Sequence, residues 1–204
     1  MNVLVTGANG FIGRNLCVFL NEAGYNKINT ITRNDSEDSI LMKVGQADFI
    51  YHLAGINRPE NDDDFLKGNT GLTETIVNQL ISTNSTAPIV LASSTQAVLD
   101  NKYGKSKVGA EAAVLDYKRK TGALTYIYRL PNVFGKWCRP NYNSAVATFC
   151  HNTVNDVPIT INNVNAELNL VYIDDVCKNF LRLLDTTVVN SKFSEVSPIY
   201  KTTV

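Results

Sequence analysis

One short run, Gly7-Ala8-Asn9-Gly10-Phe11-Ile12-Gly13, constrains this chain more than any other. It follows the apolar, β-branched stretch from Asn2 to Thr6. It precedes a segment with apolar residues at Phe11, Ile12, Leu16, Phe19 and Leu20, a helical spacing stopped by Gly24. A glycine turn between a strand and a helix is the context in which such a motif binds a dinucleotide. Gly7 allows the tight turn, Gly10 lets backbone approach a pyrophosphate, and Gly13 lets the helix pack on the strand. The helix start then offers unpaired N–H groups and partial positive charge to phosphate.

The rest of the chain repeats this rhythm. Strands are expected at Ile28 to Thr32, Asp48 to Ala54, Pro88 to Ala92 and Leu124 to Leu130. Helices are expected at Ser36 to Gln46, Leu72 to Ser82 and Tyr103 to Lys120. Alternation of this kind implies a Rossmann-like, doubly wound α/β fold with a parallel sheet. Beyond Pro131 the rhythm loosens. Ser144 to Thr153 reads as a helix, Leu168 to Ile173 as a strand, and Asp174 to Leu184 as a helix with Asp174 at its N-cap. The expected division is a dinucleotide domain over residues 1–130 and a small, partial substrate region over 131–204.

Composition narrows the partners. Nineteen Lys and Arg balance nineteen Asp and Glu in 204 residues, so nothing marks a nucleic-acid or anionic-membrane surface. No run approaches the roughly 18 apolar residues of a membrane span, and the N-terminus lacks a signal-peptide pattern. Four scattered cysteines suggest neither disulfides nor a metal site, so a cytoplasmic protein without metal is expected. A homodimer stays open.

Tyr103 and Lys107 lie four residues apart and share a helix face. A free phenol has a pKa near about 10, and an ammonium beside it favours the phenolate. Lys107 can also hold the nicotinamide ribose. Ser93-Ser94-Thr95 follows the Pro88–Ala92 strand, where open α/β sheets place ligands. At the end of the second strand, about 20 positions past the glycines, an acidic residue would hold the ribose of NAD. Thr32 and Arg33 stand there instead. Arg33 suits a 2′-phosphate, with Arg14 assisting, and favours NADP(H). Asp35 nearby keeps NAD(H) as the alternative. His52 reads as a packed core histidine rather than a catalyst.

The Gly-x-x-Gly-x-x-Gly spacing with Tyr-x-x-x-Lys resembles the extended short-chain dehydrogenase/reductases. That resemblance implies catalytic roles for Tyr103, Lys107 and Thr95, with Ser94 toward the substrate. It places Leu53, Ala54, Gly55, Asn69 and Pro131 along the cofactor and Asn132 beside nicotinamide and substrate. Dehydratases of this superfamily carry Asp-Glu after the hydroxyl residue. Gln96 and Ala97 stand here, which points away from dehydration.

The runs HLAGINRPE (52–60), ASSTQAVLDNKYGKSK (92–107) and YRLPNVFGKWCRPNYNSAVATFC (128–150) resemble a bifunctional capsular-polysaccharide enzyme family of the UDP-N-acetyl-L-fucosamine pathway. In that family a C-terminal cupin epimerises a UDP-2-acetamido-2,6-dideoxy-4-hexulose, and an N-terminal reductase domain reduces the 4-keto group with NADPH. The resemblance implies a nucleotide-sugar reductase of capsular or O-antigen precursor synthesis. Arg139 would face the UDP pyrophosphate, and Trp137 and Tyr142 would pack on sugar or base. Cys138 reads as a buried thiol. The sequence ends at Val204 in what reads as a strand, so the remainder of the reductase domain and the cupin are expected to be absent. The segment between Arg33 and Asp48 is short, as in that family, and a strand and helix usual in the superfamily are expected to be missing. A 4-epimerase with held NAD, or a non-catalytic dinucleotide-binding fragment, are the alternatives.

Overall fold

The computed structural model describes residues 1–161, 163–185 and 193–203. Five strands form a parallel sheet: β1 (Val3–Thr6), β2 (Ile28–Ile31), β3 (Phe49–His52), β4 (Ile89–Ser94) and β5 (Thr125–Leu130). Their spatial order is β2-β1-β3-β4-β5, so the chain adds β2 on one side of β1 and β3 to β5 on the other. β2 lies at one edge, as expected from the short Arg33–Asp48 segment. β4 runs two residues beyond the predicted Ala92, because Ser93 and Ser94 continue its pairing with Arg129 and Leu130.

Helices cover both faces. They are α1 (Phe11–Glu22), α2 (Glu37–Gly45), α3 (Asp63–Phe65), α4 (Leu72–Ser82) and α5 (Lys102–Thr121). A π-helical segment, Leu66–Gly71, joins α3 to α4. The sequence pattern did not reveal α3 or this segment. Helix α5 starts one residue before Tyr103, because the Asn101 side chain caps it by accepting from the Gly104 N–H at 2.7 Å.

A second sheet, ordered β6-β7-β8, follows Pro131. It contains β6 (Asn132–Phe134), β7 (Glu167–Tyr172) and β8 (Tyr200–Thr203), with α6 (Ala145–Val154) and α7 (Ile173–Arg182). Val204 lies outside the described residues. Ser144 caps α6 through the Ala147 N–H. The Asp174 cap is corrected: the N-cap position of α7 belongs to Tyr172, without a side-chain bond, and Asp174 sits in the first turn. There its charge still meets the positive helix end. Strand β7 stops at Tyr172, so the helix begins one residue before the predicted start.

Residues beyond Pro131 share the core of the first sheet. Val171, Ile173, Val176, Cys177 and Phe180 pack in one cluster with Val3, Val5, Leu16, Tyr51 and Tyr128. Tyr51 donates to the Phe180 carbonyl at 2.8 Å and so fixes α7 on β3. On the other face, α4 and α5 bring Ile76, Leu80 and Val114 against Leu4, Ile50 and Ile89. No helix among the described residues is long and apolar enough to cross a membrane.

His52 is a core residue, as expected. It is fully buried, with Nδ1 at 2.7 Å from the Thr6 hydroxyl and Nε2 at 2.9 Å from the Thr73 hydroxyl. Thr73 donates onward to the Asn69 carbonyl, so its oxygen accepts from Nε2–H. Nδ1 then accepts from Thr6, which itself accepts from the Ala54 N–H. Burial, and secondarily the Lys107 charge, pushes the imidazole down to about 3. The unfolded chain binds a proton near about pH 6.5, which the folded chain refuses until about pH 3, so this contribution to stability is full above pH 6.5 and lost as pH falls. Urea unfolding should show stability about 2 kcal/mol lower at about pH 5 than at about pH 7.5. The His52 imidazole NMR signals should stay those of the neutral ring across that range; titration of this ring near its free value would refute the assignment.

Candidate active site

The cleft begins where β1 ends. Gly7 has φ +68°, the left-handed region, and a Cβ there would lie 2.7 Å from the Ala54 nitrogen. A Cβ on Gly13 would lie 2.3 Å from the Gly7 carbonyl oxygen. The turn therefore closes only with bare α-carbons at both positions. Gly10 occupies the N-cap of α1, its N–H bonded to the Gly7 carbonyl at 2.9 Å. No side chain caps the helix and its first turn holds no acid. The N–H groups of Phe11, Ile12 and Gly13 precede the intrahelical ladder, while the side chains of Phe11 and Ile12 pack against the core. This cradle fits the pyrophosphate of a dinucleotide.

Beyond β3, the segment Leu53-Ala54-Gly55 runs alongside. A Cβ on Gly55 would sit 2.9 Å from Asn69 Oδ1 and 3.0 Å from Lys107 Nζ, so the chain here is stripped to backbone against both groups. Asn69 is buried on the π-helical segment. It accepts from the Ile56 N–H at 2.8 Å and donates to the Ile56 carbonyl at 2.9 Å. It also donates to the Ser106 hydroxyl, which donates to the Tyr103 carbonyl. One asparagine thus joins the β3 loop to the first turn of α5.

Lys107 is nearly buried, and its ammonium donates to the Ala92 carbonyl at 3.1 Å. Burial pulls its pKa down to about 8 while the Glu111 charge opposes that. Glu111, one turn further on, is buried. It is held by both ends of the Arg129 guanidinium, at 2.9 and 2.6 Å, and by the Ser93 hydroxyl. Ser93 therefore turns away from the cleft into a structural ion pair. Lys107 Nζ lies 5.8 Å from the centre of the Tyr103 ring, which also packs against Phe65 at 5.6 Å.

The expected lowering of the Tyr103 pKa is corrected. Burial raises it, and the nearby Ser94 hydroxyl only partly offsets this. The ammonium is committed to the Ala92 carbonyl, and desolvation of the phenol dominates. Ser94 accepts from the Gln96 N–H at 3.1 Å. Thr95 opens a 3-10 turn, Thr95–Val98, and is exposed, with Gln96 exposed and Ala97 buried behind it.

Arg33 stands apart, exposed just past β2 and without an ion pair among the described residues. Asp35 is occupied: it accepts from the Thr32 N–H at 2.8 Å and the Ser39 hydroxyl at 2.8 Å, and pairs with Lys43. The Lys43 ammonium foremost, then the Thr32 N–H, holds its carboxyl well below the usual range.

Pro131 and Asn132 open the second sheet, Pro131 half-buried and Asn132 exposed. After β6, the loop carrying Lys136, Trp137, Cys138, Arg139 and Tyr142 returns over the cleft. Trp137 has φ +67°, a strained position for a bulky residue. Its ring is flanked by Arg14 at 4.7 Å and Lys136 at 4.5 Å, while Asn15 donates to the Lys136 carbonyl. Cys138 is half-buried rather than buried, and desolvation raises its thiol pKa. Tyr142 donates to Asn57 Oδ1 at 2.6 Å, with Arg58 and Arg139 over its ring. Asn57, Arg58 and Ser106 were not singled out from the sequence; their signal was their place inside the runs 52–60 and 92–107. Among the described residues no group of three or more His, Cys, Asp or Glu could hold a metal ion.

Known proteins resemble this chain in sequence and in fold. The chain is 48% identical over its full length to a UDP-2-acetamido-2,6-beta-L-arabino-hexul-4-ose reductase of Pseudomonas aeruginosa, of which it covers 55%. The crystal structure of capsular polysaccharide assembling protein CapF from Staphylococcus aureus superposes with TM-score 0.87 at 39% identity, covering all of this chain and 55% of that one. The chain thus spans about half the length of these two relatives. A UDP-glucuronic acid 4-epimerase from Bacillus cereus in complex with NAD shares the fold, with TM-score 0.84 at 18% identity, and the chain covers 80% of it. Residues 3–194 match the NAD dependent epimerase/dehydratase family, and the chain belongs to that family.

Proposed function

We propose that this chain is the hydride-transfer portion of a nucleotide-sugar reductase that takes NADPH and reduces the 4-keto group of a UDP-2-acetamido-2,6-dideoxy-hexulose, a precursor of capsular or O-antigen polysaccharide. The observation that carries the reading is the helix turn that brings Tyr103 and Lys107 together at the end of β4, with Lys107 against Gly55 and the neighbouring Ala54 against Gly7 of the glycine turn. The P. aeruginosa relative supports the substrate class. Residues 1–130 hold the dinucleotide in this reading, and 131–204 contribute to the sugar side.

The nicotinamide, when bound, supplies the hydride. Lys107 holds its ribose through the ammonium beside Gly55, and Asn69 fixes the backbone against it. Pro131 and Asn132 border the nicotinamide. Ser94 and Thr95 orient the substrate carbonyl. Tyr103 gives its proton to the sugar oxygen as charge develops there. Burial keeps that phenol protonated, the form a reduction requires. Gln96 and Ala97 offer no acid–base pair for removing water. Arg33 meets the 2′-phosphate, since Asp35 is already engaged by Thr32, Ser39 and Lys43.

Replacement Tyr103→Phe should cut turnover about 10²- to 10⁴-fold in an NADPH-oxidation assay with the UDP-4-keto sugar, with NADPH affinity unchanged. Turnover near the wild-type rate would refute the assignment. Replacement Arg33→Ala should weaken NADPH about tenfold and NADH by under about twofold in fluorescence titrations. Equal losses would remove the 2′-phosphate contact.

A further inference from the structure

Among the described residues, Lys107 is the only buried cation and Glu111 the only buried carboxylate. They stand one turn apart on one face of α5. They form no ion pair with each other. Each is held instead by the end of β4. The ammonium donates to the Ala92 carbonyl at 3.1 Å, and the carboxylate accepts from the hydroxyl of the next residue, Ser93, at 2.5 Å. The Arg129 guanidinium, from β5, bonds both carboxylate oxygens. Glu111 is therefore held off Lys107, whose ammonium stays beside the bare α-carbon of Gly55.

Packing alone does not call for this arrangement. A buried ion pair gives little net stability over an apolar pair of similar size, because both charges lose their water. An apolar residue at position 111 would tie α5 to β5 as well, but it would not balance charge. The groups around the Lys107 ammonium are Tyr103 and Glu111 on its own helix, His52 from β3 and, through Glu111, Arg129 from β5. The π-helical segment brings the uncharged Asn69. Burial keeps Tyr103 protonated and His52 neutral, so Glu111 carries the one negative charge of this set. Burial works against the ammonium, and the Glu111 charge works for it. Without that carboxylate, two cations would be left in one desolvated layer with no anion beside them.

We infer that Glu111 is a positioning residue for hydride transfer: its carboxylate, pinned by Arg129 and Ser93, keeps the Lys107 side chain charged while leaving the ammonium free to bond the cofactor ribose. This rests on the reductase reading above. It adds Glu111 and Arg129 to that reading as a charge-setting pair behind Lys107.

The test is the pH dependence of NADPH affinity, measured by fluorescence titration for wild type, Glu111→Gln, Glu111→Asp, Arg129→Gln and Lys107→Arg. Wild-type affinity should fall as pH rises through the Lys107 pKa of about 8. Lys107→Arg should abolish that alkaline limb, because a guanidinium stays charged. Glu111→Gln keeps size and hydrogen-bonding reach but loses the charge, and should move the limb about one pH unit lower. Glu111→Asp loses reach but keeps the charge, and should leave the limb within about 0.3 pH unit of wild type. A purely structural role predicts the reverse order, with Gln tolerated and Asp disruptive, and that order would overturn the inference. Arg129→Gln leaves the carboxylate uncompensated and should move the limb upward, which decides the matter even where Glu111→Gln does not fold. A limb that stays in place in both Gln variants overturns the inference and leaves the reductase reading standing. A limb that survives Lys107→Arg belongs to another group and overturns it as well. If wild type binds no NADPH, the reductase reading fails and takes this inference with it.

Discussion

The site hangs on a file of hydrogen bonds with a fixed direction, running through a buried neutral imidazole. The Ala54 N–H bonds Thr6, Thr6 bonds His52, His52 bonds Thr73, and Thr73 bonds the Asn69 carbonyl. Each hydroxyl both accepts and donates, so no member can be reversed alone. The file crosses from β1 through β3 to the helical layer. It ends at the residue whose side chain grips Ile56 and Ser106. The backbone beside Lys107 and the first turn of α5 are thus set by polar contacts buried beneath them, which is how reacting groups are held to a narrow geometry.

Around that file the sheet divides the labour. The glycine turn and Arg33 occupy the β1–β2 side. The Tyr103–Lys107 face lies at the end of β4, and the arginines around Tyr142 lie over the loop after β3. The loop after β6 touches two of these places, through Trp137 at α1 and Tyr142 at Asn57. The glycine-turn end and the Asn57 end of the cleft therefore share one stretch of chain. The ion pair of Glu111 and Arg129 sits below, tying α5 to β5 while leaving the cleft to Ser94.

Much of this was legible in the sequence because it depends on local rules. Strand, glycine turn and helix declared themselves through spacing, and so did the Tyr103–Lys107 face. Asp174 misled because an acidic residue favours both an N-cap and a first turn, and strand pairing at Tyr172 decided between them. Tyr103 misled because proximity to an ammonium is visible in sequence, whereas the degree of desolvation is set by packing against residues such as Phe65. The π-helical segment had no periodicity to betray it. The meeting of Arg58 with Arg139 lies beyond any local pattern, since 81 positions of chain separate them.

The edge position of β2 carries a consequence for how such a protein diversifies. β2 pairs with β1 alone, and the bonds of Asp35 run to Thr32, Ser39 and Lys43, all within its own strand-to-helix unit. Substitutions among residues 32–35 leave the buried file and the ladder of the inner strands untouched. Side chains at this margin can change while the packing of the interior stays as it is. The β2 margin that carries Arg33 is the part of this scaffold most open to redesign.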